Sequence, residues 1–304
     1  MSIRSLLALS GFLLSVALCA CSAPGVGTTP PAGYPVSGLS LGSDSNAPLI
    51  FIADFSKSDV EIFSSGSSPT LLGTITNGVA NPEQIAFDAK DTLYVTNTFA
   101  NTVNEYPRGK TSPTFTLSTG LNAPNGIAVD SKGTVYVSNN PGNGGTIVEY
   151  KHGSNKPFLT ISGISNPLGL ALDSKDNLYI GGEVSGVYEV LKGKSQPSNL
   201  GLQSTGFVVG VALAKNGDLY VGNCNPQNNI TVYHHGQTSP YETINYNGDC
   251  AYYLSLDKTS NLYVGYVFNA VMAIYPPGKT SPSVTVTQGL TEPTSAVLAT
   301  WPKP

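Results

Sequence analysis

Charge is scarce in this sequence. Of 304 residues only 11% are Asp, Glu, Lys or Arg, and the formal net charge is -4. The lysines and arginines are dispersed, so the basic patch that a nucleic-acid surface requires is missing. Histidine is scarcer still: His152, His234 and His235 are the only three. Chemistry that needs an imidazole base therefore has few places to sit. The repeated body shows no 3.6-residue apolar period of a helix. The apolar run LLALSGFLLSVAL at residues 6–18 is too short and too early for a lasting membrane span.

That run has Arg4 before it and Leu18-Cys19-Ala20-Cys21 at its end. A Leu three residues before a Cys, with a small residue between, resembles the bacterial lipoprotein box. The resemblance implies cleavage after residue 20 and acylation of Cys21; an ordinary cleaved signal with an incidental cysteine is the other reading. Multiple acylation would anchor the chain firmly. Ser22 is compatible with the outer membrane of a Gram-negative envelope. Residues 21–46 are rich in Ser, Gly, Pro and Thr and read as a flexible tether. The folded body is expected over 47–304.

That body repeats itself. FDAKDTLYVTN (87–97), VDSKGTVYVSN (129–139), LDSKDNLYIGG (172–182), LAKNGDLYVGN (213–223) and LDKTSNLYVGY (256–266) are variants of one phrase, and LIFIADF (49–55) carries its second half. The aromatics Phe51, Tyr94, Tyr136, Tyr179, Tyr220 and Tyr263 are spaced by 43, 42, 43, 41 and 43 residues. A period near 42 with strand-like content predicts a β-propeller. Each period supplies four short strands, for example IAFD, LYVTN, TVNEY and PTFTL in the second. The first strand is apolar on both faces and should line the centre. The final SAVLAT (295–300) has no partner phrase after it, and LIFIADF has no first strand before it. An all-β ring of six four-stranded blades follows, closed by pairing of the C-terminal strand with the N-terminal blade. Such closure leaves only short, protected edges.

Two local motifs belong to this scaffold. Asp88, Asp130, Asp173 and Asp257 recur in the turn between first and second strands, where an Asp side chain bonds backbone N–H groups two residues on. They read as turn formers in separate blades, not as a calcium cluster. RGKTSP (108–113), HGQTSP (235–240) and PGKTSP (277–282) sit between third and fourth strands. No helix follows them, so they do not form a phosphate-binding loop.

The segment PNGIAVDSKGTVYVSN (124–139) resembles the NHL repeat, and the resemblance extends over about residues 49–300. It implies a propeller fold but no particular reaction. Among its relatives, the gluconolactonase-like group holds a divalent metal at the channel mouth with Glu, Asn and Asp side chains. Pro124-Asn125-Gly126 matches that group's Pro-Asn-Gly motif, and the equivalent positions are Glu83, Asn125, Leu168, Val209 and Tyr252, with Thr294 in the incomplete unit. Glu83 and Asn125 are therefore candidate ligands for Ca2+ or another divalent cation. The remaining ligands of the roughly six oxygens such an ion takes are not evident. Lyases of similar fold that use a channel histidine have no counterpart here, because all three histidines fall near strand-three to strand-four turns. His234 and His235 are adjacent, so their side chains diverge in an extended strand.

The loops TNTFANT, SNNPGNGG, GNCNPQNN and NYNGDCAYY emerge on one face and hold most of the irregular sequence. Variable loops on a repeated scaffold mark a binding face. Asn97, Asn139, Asn223, Asp249, Tyr252 and Tyr253 are its candidate contacts. Cys224 and Cys250 lie in the same loops and are a candidate disulfide across the two strands that they enclose; a metal pair or free thiols are the alternatives. The expected function is a noncatalytic binding scaffold of the cell envelope. It would be monomeric, lipid-anchored and without a required cofactor, and would engage a protein, peptide or glycan but not nucleic acid. The alternative is a metal-dependent hydrolase or lactonase with an atypical site.

Overall fold

The computed structural model describes residues 47–142, 144–183 and 186–301. The signal segment 1–20, the tether 21–46 and Cys21 lie outside the described residues. Within them are six antiparallel four-stranded sheets arranged as a six-bladed β-propeller, with no helix. We number the blades from the N-terminus. Blade 1 pairs Pro293–Ala299 with Leu49–Asp54, followed by Asp59–Ser64 and Leu71–Ile75. Blades 2 to 6 span 82–117, 124–161, 167–199, 207–244 and 251–286.

The repeated phrase forms the inner half of each blade. Its second strand is buried along its whole length, as in Leu93–Asn97, Val135–Asn139 and Leu262–Tyr266. The apolar core is therefore split into wedges between blades. One wedge joins Tyr94, Val103 and Leu117 of blade 2 to Ile127, Val135 and Tyr150 of blade 3. The turn aspartates act as expected. Asp130 Oδ1 accepts the N–H groups of Lys132 and Thr134, each at 2.8 Å, and Asp88, Asp173 and Asp257 repeat the pattern.

Ring closure is a full strand pairing. Leu49, Ile50 and Phe51 face Ala299, Leu298 and Val297, and the register holds to Ala53 opposite Ser295. Trp301 extends the clasp into blade 2: its ring lies edge-on to Phe51 at 4.9 Å, and its Nε1–H donates to the Asp91 carbonyl at 3.0 Å.

Neighbouring blades meet through one position of the second strand, two residues after the repeated aromatic. Thr96 Oγ1 donates to the Gln84 carbonyl of its own blade and to the Asn125 carbonyl of the next, at 3.0 and 3.1 Å. Ser138 accepts from Gly126 N–H at 2.7 Å and donates to the Leu168 carbonyl at 2.6 Å. The same position is Gly181, Gly222 and Gly265 in blades 4 to 6, where a Cβ would stand 3.1, 2.6 and 2.3 Å from a carbonyl oxygen of the following inner strand. In blades 2 to 6 the contact is thus made by a small hydroxyl or by no side chain at all, and in blade 1 the position is Ala53.

Cys224 and Cys250 are bonded, with Cα atoms 4.7 Å apart. Cys224 ends the second strand of blade 5, and Cys250 immediately precedes the first strand of blade 6. The bond therefore ties two adjacent blades, where the sequence suggested a brace within one blade.

Two outcomes follow for stability, both measurable by urea unfolding. Gly265→Ala places a methyl against the Pro293 carbonyl and should cost roughly 1–3 kcal/mol as overpacking. Replacing both Cys224 and Cys250 by Ser opens a loop of sequence separation 26. By chain entropy this should lower stability by about 3–4 kcal/mol, and a reducing agent should reproduce the loss in the parent protein.

Candidate functional site at the channel mouth

Each first strand starts at the same end of the ring, and each carries a register shift there. Pairing skips Glu83 and Gln84, Asn125 and Gly126, Leu168 and Gly169, Val209, Tyr252 and Tyr253, and Thr294 in the six blades. Bulges of this kind bend a strand and re-aim its side chains, and they recur beside functional sites. The skipped residues surround the end of the central axis.

Glycine occupies the second bulge position in three blades because the strands are too close for anything else. A Cβ on Gly126, Gly169 or Gly210 would lie 2.1, 2.5 or 2.2 Å from a carbonyl oxygen of the next inner strand. Two larger residues at that position fill the axis. Gln84 reaches across it: Oε1 accepts N–H of Ile127 and of Leu170, both at 3.1 Å, and Nε2 donates to the Leu170 carbonyl at 3.0 Å. One amide thus links the inner strands of blades 2, 3 and 4. Tyr253, 1% exposed, enters from the other side. Its hydroxyl faces Asn125 and Glu83, and burial with the nearby Glu83 charge raises its pKa well above the ordinary value.

Glu83 is the unusual group. It is 9% exposed, and its Oε2 has no hydrogen-bond partner among the described residues. Burial pushes its pKa up to about 8, with the Glu292 charge adding and the Tyr253 hydrogen bond opposing. Glu292 and Glu183 are themselves raised by burial; Ser56 bonds the first and Asn166 the second. Half-buried Tyr252 is raised by burial and then by Glu83, Glu292 and Glu183. The mouth is therefore acidic, with no lysine, arginine or histidine paired to Glu83 among the described residues.

The candidate metal ligands Glu83 and Asn125 both lie beside the Tyr253 hydroxyl. The rest of the set is Leu168, Val209, an aromatic pair and Thr294, whose Oγ1 bonds the Glu83 and Pro82 carbonyls at 2.9 and 3.1 Å. Among the described residues no group of three His, Cys, Asp or Glu side chains is placed to hold a metal. These donors do not fit a hard divalent cation that takes about six oxygens.

The sequence-derived contact residues need correction. Asn97 and Asn139 end second strands, Asn223 is the penultimate residue of its own, and all three are buried. Asn97 Oδ1 accepts Ala80 N–H at 2.9 Å, Asn139 Oδ1 accepts Asn122 N–H at 3.0 Å, and Asn223 Oδ1 accepts Gly206 N–H at 3.1 Å. Each staples the loop entering its own blade. Asp54 does the same for Thr291 and Glu292 N–H in blade 1. Asp249 is also buried and holds Asn269 through N–H and Nδ2, both at 2.9 Å. Tyr253 belongs to the axial plug, so Tyr252 alone of the six reaches solvent.

What this face does expose is phenylalanine. Phe99 and Phe268 are each 62% exposed, and half-buried Phe55 lies edge-on to Phe99 with centroids 5.6 Å apart. All three occupy the turn between second and third strands, in blades 2, 6 and 1, which are consecutive around the ring. The turns end in left-handed residues, Asn101, Ala270 and Ser58, at φ 55°, 53° and 55°. The signal was present as the Phe of TNTFANT and its counterparts. On the opposite face, His234 Nδ1 meets Asp218 Oδ1 at 3.0 Å and its ring stacks on Tyr241 at 3.7 Å.

No protein-family model matches this chain, and no curated protein matches it. Solved structures share the fold. A protein of unknown function from Bacteroides caccae superposes with a TM-score of 0.66 at 11% identity, over 83% of this chain and 98% of that one. A catalytically inactive virginiamycin B lyase from Staphylococcus aureus, solved with quinupristin, gives 0.58 at 12% identity, over 86% and 94%. At such identities the likeness defines the class, a six-bladed β-propeller.

The raised Glu83 sets a pH dependence. Between its unfolded value near 4.5 and its folded value of about 8, the folded chain holds a proton that the unfolded chain releases. Stability therefore falls as pH rises through this window. Glu105 and Glu149, raised to about 7 by burial, act with the same sign. Glu83→Gln should leave stability near pH 5 little changed and become progressively more stable than the parent toward pH 9, read by denaturant titration at each pH.

Proposed function

We propose that this protein is a noncatalytic binding module of the cell envelope that takes its partner on the channel-mouth face. One observation carries the reading: a phenylalanine recurs at the same turn of three consecutive blades, beside the carboxyls of the mouth, and two of the three, Phe99 and Phe268, are 62% exposed. Clustered exposed aromatics are costly in water and are the side chains that dominate interface energies. Such rings favour a protein or peptide that presents apolar side chains. The NHL-repeat resemblance agrees with a propeller used as a scaffold. The lipoprotein-box resemblance at Leu18–Cys21 supports export and a lipid anchor. The plugged axis and the incomplete donor set at Glu83 and Asn125 favour this reading over a lactonase.

The test is photo-crosslinking in intact cells. A photoreactive amino acid in place of Phe99 or Phe268 should give the same protein adduct. The same group at exposed Leu191, in a turn of the opposite face, should not. Adducts only from Leu191, or none from either phenylalanine position, would overturn the proposal; a glycan adduct would change the partner class.

A further inference from the structure

The face opposite the mouth contains a cleft of about 170 Å3 between blades 4 and 5. Beside Glu189, which lines it, a side chain present in the matching wedges is missing. In blades 2, 3 and 6 the outer strand places an apolar residue opposite the penultimate residue of the third strand. Phe115 faces Glu105, Leu159 faces Glu149 and Val284 faces Ile274, and each packs into the wedge toward a neighbouring blade. Blade 4 reduces this strand to Ser198–Asn199, and the residue facing Glu189 is Ser198. Leu200 comes next, held by its N–H to the Val187 carbonyl at 2.9 Å. It takes the position of Leu117 and Ile161, which are each 1% exposed, yet it stays half-buried, as do Leu202 and Leu213.

The cleft is apolar along Leu200, Leu202, Leu213 and Leu219 and polar where Tyr179 and Glu189 meet. The Tyr179 hydroxyl donates to Glu189 Oε1 at 3.0 Å. Among the described residues no lysine, arginine or histidine forms an ion pair with Glu189. His234 and His235 border the cleft; His234 Nδ1 is committed to Asp218, and the His235 side chain packs beneath Gly217. A cavity of about 150 Å3 holds one aromatic ring, so the apolar part accommodates a group of that size.

We propose that this cleft binds a small amphipathic amine, with a single-ring apolar body against the four leucines and its ammonium on the Glu189 carboxylate. The site is separate from the channel mouth and does not depend on the partner proposed there. A charge-assisted hydrogen bond at the end of an apolar slot supplies orientation, and the slot supplies burial.

Benzylamine and the uncharged benzyl alcohol are suitable probes, with binding to the full chain followed by leucine-methyl NMR. Benzylamine should give saturable shifts confined to the methyls of Leu200, Leu202, Leu213 and Leu219. Benzyl alcohol should bind about tenfold more weakly. Ser198→Phe supplies the ring that Phe115 provides in blade 2, and it should abolish both titrations without lowering Tm. Glu189→Gln keeps an acceptor for Tyr179; it should weaken benzylamine about tenfold and leave benzyl alcohol unchanged. Absence of saturable benzylamine shifts overturns the site. Unchanged binding in Ser198→Phe overturns its location. Equal affinity of the two probes, or no effect of Glu189→Gln, overturns the role of the ammonium.

Discussion

The close approach of neighbouring inner strands is the constraint on which the rest of this ring depends. Six twisted blades close on themselves only if the strands nearest the axis come almost into backbone contact. Gly126, Gly169 and Gly210 at the bulges, and Gly181, Gly222 and Gly265 in the second strands, remove the Cβ atoms that would prevent it. Where a polar side chain is kept, it is Thr96 or Ser138, whose hydroxyl bonds the carbonyl it approaches, and blade 1 has the small Ala53. The contact is therefore either unobstructed or hydrogen-bonded, and in neither case does it leave a buried backbone oxygen crowded and unpaired. The C-terminal strand and Trp301 complete the same arrangement by bringing the last inner strand against the first phrase of the repeat.

Packing this tight leaves little open axis, and the residues that exceed glycine at the bulges decide what remains. Gln84 uses its amide to stitch three blades, so its burial costs little. Glu83 is in a different position. One oxygen is served by Tyr253 and the other by nothing among the described residues, while Glu292 adds like charge. A carboxyl so placed favours its protonated form and destabilises the ionised fold. The structure tolerates that cost at one of the six matching positions of the mouth, since the others are Asn125, Leu168, Val209, Tyr252 and Thr294.

Architecture was readable because it repeats. The spacing of Phe51, Tyr94, Tyr136, Tyr179, Tyr220 and Tyr263 follows from the strand count of a blade, and the unpaired phrases at the two ends imply closure. The binding-face residues were misread for an instructive reason. Asn97, Asn139 and Asn223 follow the repeated aromatic at a constant offset of three residues, and so does Asp54. A polar residue that recurs in register with the scaffold serves the scaffold, here by stapling the entry loop of its blade. Composition alone makes such an asparagine indistinguishable from a solvated loop residue. The Cys224–Cys250 bond was visible as a pair, but its direction between blades required knowing which strand each cysteine terminates. The cleft at Ser198 was hidden more deeply, because it is defined by what Ser198 lacks beside Phe115 and Leu159, and that comparison needs the pairing register.

Specific function in a repeated ring has to come from departures from the repeat. Symmetry makes every blade-to-blade wedge and every bulge equivalent by default, and equivalent positions are satisfied by the same small or apolar residues. Three departures stand out here. Glu83 with Tyr252 and Tyr253 breaks the glycine and apolar pattern at the mouth; Phe55, Phe99 and Phe268 break the polar pattern of the turns above it; Ser198 breaks the filled pattern of the outer strands on the far side. None is required by closure, since blades without them pack more completely. Each leaves something unsatisfied: a carboxylate oxygen, apolar rings in water, or a wall of leucines facing a void. This fold buries or pairs such groups in most of its blades and leaves them open in particular ones, and it is on those incomplete places that both binding proposals rest.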